Sequence, residues 1–536
     1  MKLNTQSIVS EKALWQEKGF ILPLYDTDMI KRNTEKAPRW VHFGGGNIFR
    51  GYIARLADDL ICQGDMDSGI IAADIFDTET IDKIYDPYDD LSLLVGLPAR
   101  GEKYLRVIGS IGGAVCAKGE GMARLKNIAK SDSLQMISYT IPEKGYAVKD
   151  MNGDILPYVQ ADIDDGMSGE LRSAMSVTAA LMYERFCAGG TPVALVSMDN
   201  CSRNGEKLKE SVLTIAEGWC SRGFCGADFV EWLKSPKVSF PWSMIDKITP
   251  RPDSTICGEL TALGVEGMSP VKTSRGTFTA PFVNAEMPEY LVIEDDFPNG
   301  RPPLEKAGVY MTDRESVDRA EKMKVMTCLN PLHTALAVFG CLLGHKKISE
   351  EMEDSDLKAL VYRLGYKEGL PVVIDPHMIS PENFLREVLE ERLPNSYLPD
   401  TPQRIATDTS QKLAIRFGGT VRAYAEKGSA SKLEMIPLVI AAWLRYLTAV
   451  GDDGAPMELS ADPMLDEMQK TVRPEWFGKG CDRAAVEAVL KNETLFGADL
   501  VSVGLADKIA AYLDKMLAGA GAVRKVLHDA VTAESR

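Results

Sequence analysis

The sequence predicts an α/β protein whose first half alternates strands and helices around a parallel sheet and whose second half is mostly helical. Three observations carry that prediction. Residues 39–43 read as a short strand that runs into Gly44, Gly45 and Gly46 and is followed by a helical pattern through Ile48, Tyr52, Ile53, Leu56 and Leu60. Residues 69–76 then read as a strand buried on both faces, with Asp74 near its C-terminal end. Beyond residue 306 the apolar positions recur at helical spacing and strand-like runs become rare.

Taken in order, a polar leader runs to about Pro38, and the strand, glycine turn and helix that follow it are closed by Gly64. With the strand carrying Asp74 they make a βαβ unit. Further strands are expected at 134–141 and 192–197, with a helix over 176–187 between them. Amphipathic stretches at 330–343, 357–364, 433–447, 484–490 and 506–517 make up the helical half. The segment 296–303, DFPNGRPP, is the expected hinge. The domains are accordingly read as 1–306, a dinucleotide-binding unit with an N-terminal extension, and 307–536, a helical substrate-binding and catalytic unit.

Composition narrows the function classes. The chain has 536 residues, 45% hydrophobic and 26% charged, with 61 basic and 77 acidic side chains and a formal net charge of −16. That length excludes a single small binding module. An acidic surface repels phosphate backbones and anionic headgroups, so neither nucleic acid nor membrane is an expected partner. The ten Cys form no CxxC pair and suit free thiols in a reducing compartment. The five His (His42, His333, His345, His377, His528) are never two or four apart, so no local metal site is expected. With no apolar stretch of signal-peptide length at its start, the chain is expected in the cytoplasm, as a monomer or small homo-oligomer.

Glycine is required where a strand turns sharply into a helix whose first amides must approach a pyrophosphate. Gly44 and Gly46 fit two positions of such a turn, whereas Phe49 stands where the third glycine of a GxGxxG pattern belongs. Asp74, 28 positions after Gly46, is placed to accept hydrogen bonds from the ribose hydroxyls of NAD, with Asp77 as the competing acid. The lack of an Arg immediately beside Asp74 favours NAD over NADP. In the second half, Pro331 fits a first helical position with Asn330 before it as an N-cap, which puts Asn330 and His333 in one turn. A lysine desolvated beside such a pair could exchange a proton with a substrate hydroxyl, while an amide donates to the developing oxyanion.

At these residues the sequence resembles the long-chain mannitol dehydrogenase family of polyol-specific dehydrogenases and reductases, which includes fructuronate reductases. The family's GxGxFxR signature is similar to Gly44-Gly-Gly46-Asn47-Ile48-Phe49-Arg50, with Ile48 in place of Phe. Its TEKGY block resembles Pro142-Glu143-Lys144-Gly145-Tyr146, and its SCDNxxxNG block resembles the run from Ser197 to Gly205 through Asn200. The stretches from Phe240 to Pro250 and from Val292 to Phe297, and the run Asp408-Thr-Ser-Gln-Lys412 with Arg404 eight residues before Lys412, match three more blocks. The resemblance implies a metal-independent, NAD(H)-dependent oxidoreductase with a Rossmann-type domain. It implies Lys324 as general base, Asn200 and Asn330 as oxyanion donors, His333 as the substrate-positioning residue and Glu321 on the proton path. Gly44, Gly46, Asn47, Ile48, Phe49, Arg50, Asp74 and Glu143 are implied in cofactor binding, and Asp246, Arg404 and Lys412 in substrate binding.

Family members usually have four residues between the Lys and the Asn, but Val325 to Leu329 makes five here. On a regular helix that would turn Lys324 about 100° off the shared face. A π-bulge, or a break before Pro331, must absorb the extra residue; otherwise Lys322 is the lysine in question. An Arg with a Lys suits a substrate carboxylate, and Lys144 leans the same way, so the resemblance favours interconversion of D-fructuronate and D-mannonate. Mannitol with fructose, or tagaturonate, are the alternatives, and a non-catalytic nucleotide sensor is the distant one.

Overall fold

The computed structural model describes residues 1–150 and 152–533. The chain divides into two compact units, Met1–Asp318 and the residues from Arg319 onward.

The first unit is built on six parallel strands: β1 Trp40–Phe43, β2 Ile70–Asp74, β3 Ile111–Cys116, β4 Met136–Tyr139, β5 Val193–Ser197 and β6 Val238–Ser239. They lie in the order β3-β2-β1-β4-β5-β6. Successive side chains alternate between the two faces, as strand geometry requires. Val41, Phe43, Ile71, Ala73, Ile137, Tyr139, Val193 and Leu195 join one core. Trp40, Ile70, Ala72, Met136, Ala194 and Val196 join the core on the other face. Both faces are covered, so the strands are buried and mostly apolar. His42 is fully buried and stacks on Phe49 with ring centroids 4.5 Å apart. Its Nδ1 and Nε2 pair with Ser138 Oγ and Thr140 Oγ1 at 2.7 and 2.8 Å, and burial pushes its pKa down to about 3.

Two strand ends are anchored by one cation. Arg185, on the helix Ala174–Cys187, is buried and donates to the carbonyls of Ala129, Ser131, Leu134, Thr191 and Pro192 at 2.6–3.0 Å. The segments leading into β4 and β5 are thereby held together, with every donor of the guanidinium satisfied.

Several features differ from the sequence expectation. The polar leader is folded: it carries the helices Thr5–Ser10, Lys12–Glu17 and Thr27–Lys36, and Trp15 is fully buried. Its short strand Phe20–Ile21 pairs with Tyr104–Ile108 in a four-stranded sheet that also holds Ser92–Leu97 and Phe282–Glu286. A three-stranded sheet joins Ser243–Asp246, Tyr290–Glu294 and Tyr310–Thr312. Because Tyr310–Thr312 pairs in parallel with Tyr290–Glu294, the expected hinge at 296–303 is an internal connection of the first unit, and the division falls at Asp318.

The second unit is helical. Its expected stretches appear as Asn330–Leu343, Ser355–Arg363, Met435–Tyr446, Arg483–Leu490 and Ala506–Met516. Met435–Tyr446 is buried along its whole length and capped electrostatically at both ends. Glu368 accepts the amides of Glu434, Met435 and Ile436 at 2.6–2.9 Å at its N-terminus. At its C-terminus Arg445 donates to the carbonyls of Val450, Gly451 and Met516. The helical run Arg314–Leu343 is long and apolar enough by composition to cross a membrane, and 78% of its apolar window is buried inside the fold. That burial is what a core helix of a packed domain shows.

Candidate active site

Strand order sets the position of the first part. Between β1 and β4 the direction of chain progression reverses, and in open parallel sheets a crevice opens there at the carboxyl ends of the strands. Gly44 follows β1 and Thr140 follows β4. Gly44 has φ +105°, and a Cβ there would lie 2.1 Å from the Thr140 carbonyl oxygen, so only glycine fits. Gly46 is exposed, and a Cβ on it would meet nothing within 4 Å. The turn is thus tightly packed beneath and open above, a cradle fitting a dinucleotide pyrophosphate. Tyr85 braces it by donating to the Gly45 carbonyl at 2.7 Å.

The side chains after the turn point elsewhere. Phe49 is buried against His42, and Ile48 packs against the core. Arg50 is buried and donates to Ala280 O at 2.7 Å, Thr279 Oγ1 at 2.9 Å and Asn47 Oδ1 at 3.1 Å. Asn47 Nδ2 in turn reaches the Pro250 carbonyl. Asn47, Phe49 and Arg50 therefore act on the turn by fixing its helix from behind, which leaves backbone amides to face a ligand. The close approach expected from a third glycine is found two residues on, where a Cβ on Gly51 would lie 2.7 Å from Val283 Cγ1.

Asp74 ends β2, and its Oδ1 accepts the amides of Phe76 and Asp77 at 2.9 and 2.8 Å. Burial raises its pKa, with those amides opposing. Asp77 is buried and accepts from Thr273 Oγ1 at 2.6 Å, so of the two acids Asp74 is the one at the strand edge. Glu143 is exposed beyond β4 and paired with Lys207. Asn200 is exposed beyond β5, and Asp246 is buried at the end of its strand.

Sequence reasoning passed over Asp199, the neighbour of Asn200. Its Oδ2 accepts the Tyr146 hydroxyl and the Ile141 amide, the latter at 2.9 Å, and Ser197 Oγ donates to Tyr146 at 2.8 Å. The loops beyond β4 and β5 are joined through this carboxyl. Burial pushes its pKa up to about 7, with Tyr146 and the Ile141 amide pulling it back.

The helix Arg314–Met323, which runs from the first unit into the second, passes directly into a π turn, Lys324–Cys328, and Leu329 breaks the helical run at φ −130°, ψ −64° before Asn330–Leu343. The Leu329 amide bonds the Lys324 carbonyl at 3.1 Å, the i→i−5 pattern of a π turn. The additional residue between Lys324 and Asn330 is absorbed there, by the bulge and the break together. Lys324 is 4% exposed, whereas Lys322 faces solvent. Asn330 stands inside the first turn of its helix and not before it, and Leu329 takes the cap position.

His333 lies one turn on, its Nε2 3.9 Å from Asp400 Oδ2. Burial pushes its pKa down to about 4; Asp400 opposes this, while Arg416, Arg392 and Arg404 reinforce it. Arg404 is exposed and paired with Asp400. Lys412 donates to the carbonyls of Thr407 and Ile405. Arg404 thus lies near His333, and both cations implied in substrate binding have their polar heads already engaged.

Comparison with known proteins gives the family. The model for the mannitol dehydrogenase Rossmann domain matches residues 38–306, and that for the mannitol dehydrogenase C-terminal domain matches residues 316–517. The chain belongs to the mannitol dehydrogenase family. Among curated relatives of this family member, the D-mannonate oxidoreductase of Thermotoga maritima is 49% identical over the full length of both chains. Among solved structures, the mannitol 2-dehydrogenase of Pseudomonas fluorescens, a ternary complex with NAD and D-mannitol, aligns over the whole of both chains with TM-score 0.71 and 25% identity. A substrate-free D-sorbitol dehydrogenase shares the fold with TM-score 0.79 and 24% identity, over 95% of this chain and 97% of its own.

Proposed function

We propose that this protein is an NAD(H)-dependent oxidoreductase that interconverts D-fructuronate and D-mannonate. The observation that carries the reading is the 49% identity, over both full chains, to a D-mannonate oxidoreductase. The geometry agrees with it: a glycine cradle at the crevice of a parallel sheet, and a buried lysine on a π turn that leads into the helix of Asn330 and His333. In this reading the first compact unit, Met1–Asp318, takes the dinucleotide and the second, from Arg319 onward, serves substrate and proton transfer.

Residues 44–50 would present backbone amides to the pyrophosphate, Asp74 would accept from the ribose hydroxyls, and Glu143 would border the same crevice. Bound NAD(H) supplies or accepts the hydride. In the reductive direction Lys324 Nζ releases a proton to the substrate oxygen; in the oxidative direction it takes one. Asn200 and Asn330 are the residues that would donate amide hydrogens to the developing oxyanion, through charge-assisted bonds. His333, held neutral by burial, orients a substrate hydroxyl, and Glu321 relays the proton outward. Asp246, Arg404 and Lys412 border the substrate. The reaction operates in the cytoplasm, on a small molecule, without nucleic acid or membrane.

NADH absorbance followed with D-fructuronate, D-tagaturonate and D-fructose in parallel tests the reading. Fast oxidation with D-fructuronate is expected; turnover confined to D-fructose would replace it with a mannitol dehydrogenase.

A further inference from the structure

We propose that Arg416 is the residue that receives the carboxylate of a sugar-acid substrate. The inference deepens the proposed function and rests on it. Arg416 lies in another of the chain's π turns, Ala414–Gly418, four residues after Lys412. Among the described residues no acidic side chain pairs with its guanidinium, and burial is the one influence lowering its pKa, to about 10. A partly desolvated cation without a counter-charge weakens the fold unless an anion compensates it. The neighbouring cations already have partners: Arg404 is paired with Asp400, and Lys412 donates to the Thr407 and Ile405 carbonyls.

Position favours the same residue. Arg416 Nη1 donates to Thr334 Oγ1, which itself donates to the Asn330 carbonyl at 3.1 Å. The guanidinium is therefore fixed to the helix that carries Asn330 and His333, next to His333 in the chain. Its π turn also faces the one that carries Lys324: Gly419 abuts Met326, and Thr420 Oγ1 donates to the Met326 carbonyl at 3.4 Å. With Nη1 anchored, Nε and Nη2 remain as a planar fork of the kind that takes a carboxylate through two parallel hydrogen bonds. D-Fructuronate and D-fructose differ by carboxylate against hydroxymethyl, so this residue would set the preference between them.

The test compares the wild-type enzyme with Arg416→Met and Arg416→Lys, measuring kcat and KM for D-fructuronate and D-fructose, NADH binding by fluorescence, and thermal midpoint. Arg416→Met should lower the ratio of kcat/KM for D-fructuronate over D-fructose about 100-fold, chiefly through KM for the acid, as expected for a lost charge-assisted contact. Arg416→Lys, which keeps the charge but not the fork, should fall between, and NADH binding should hold in both. An unchanged ratio in Arg416→Met would overturn the assignment. So would loss of NADH binding or a collapse in thermal midpoint in both variants, because Arg416 would then be structural. A wild-type enzyme inactive on every hexuronate would remove the proposed function itself, and this inference with it.

Discussion

Gly419 stands so close to Met326 that a Cβ on it would lie 1.9 Å from the methionine's terminal methyl carbon. That contact packs the start of the helix Gly419–Glu426, which continues directly from the π turn Ala414–Gly418, against the π turn Lys324–Cys328. π turns are rare, and a pair of them in contact, one bearing the candidate base and the other a candidate substrate cation, couples two pieces of a site through backbone packing.

Alanine at the two glycines should separate packing from catalysis. At Gly418 a Cβ would lie 2.5 Å from the Phe496 carbonyl oxygen and 2.8 Å from Gly497 Cα, backbone that has little room to move. Gly418→Ala is expected to cost about 1–3 kcal/mol of stability, read as a drop in thermal midpoint. Gly419→Ala meets only the flexible end of Met326, so stability should change little. Turnover should still fall several-fold, because Met326 belongs to the turn that holds Lys324.

Lys324→Ala should lower kcat by about 10²–10⁴-fold, the usual worth of a positioned acid or base, with NADH binding kept. Lys322→Ala, on an exposed side chain, should stay within about twofold of wild type, as surface changes generally do. The reverse order of effects would make Lys322 the reacting lysine and the π turn a structural irregularity.

Cofactor preference is expected to depend on Asp74. Asp74→Ser keeps a side-chain oxygen for the Phe76 and Asp77 amides but removes the charge that would repel a 2′-phosphate. The ratio of kcat/KM for NADPH over NADH should rise at least tenfold. A ratio unmoved by the substitution would place the ribose elsewhere.

The carboxyl of Asp199 titrates near 7 in the fold, against about 3.9 in an unfolded chain. The native state therefore favours its protonated form. The stability this supplies is fully present below the unfolded value and is lost as pH rises through the folded one. Asp199→Asn is neutral throughout and escapes that loss. Its thermal midpoint minus that of the wild type should grow from about pH 4 to pH 7 and level off above that. A difference independent of pH would mean that Asp199 is ionised across the whole window.

The parallel strands and core helices were legible because each is recorded in a contiguous pattern. Trp40–Phe43 and Val193–Ser197 are buried throughout and mostly apolar because both faces of the sheet are covered, and Asn330–Leu343 follows the predicted span residue for residue. The folded leader was not legible. Its two-residue strand Phe20–Ile21 exists only because Leu105 and Arg106, far along the chain, supply hydrogen-bond partners. Arg50 illustrates the same limit within a motif: its sequence neighbours suggest a ligand contact, yet Thr279 and Ala280 take its donors inside the protein.

The chain's local order was enough to specify the glycine cradle, the acid at the end of β2 and the Lys, Asn and His group, since each depends on torsions and spacings within a few residues. Tertiary packing decided which lysine is buried, how the π turn absorbs the extra residue, and that Arg404 is neutralised by Asp400 while Arg416 has no acid partner among the described residues. Burial and charge compensation are set by the segments that surround a side chain, and those segments lie far away in the sequence.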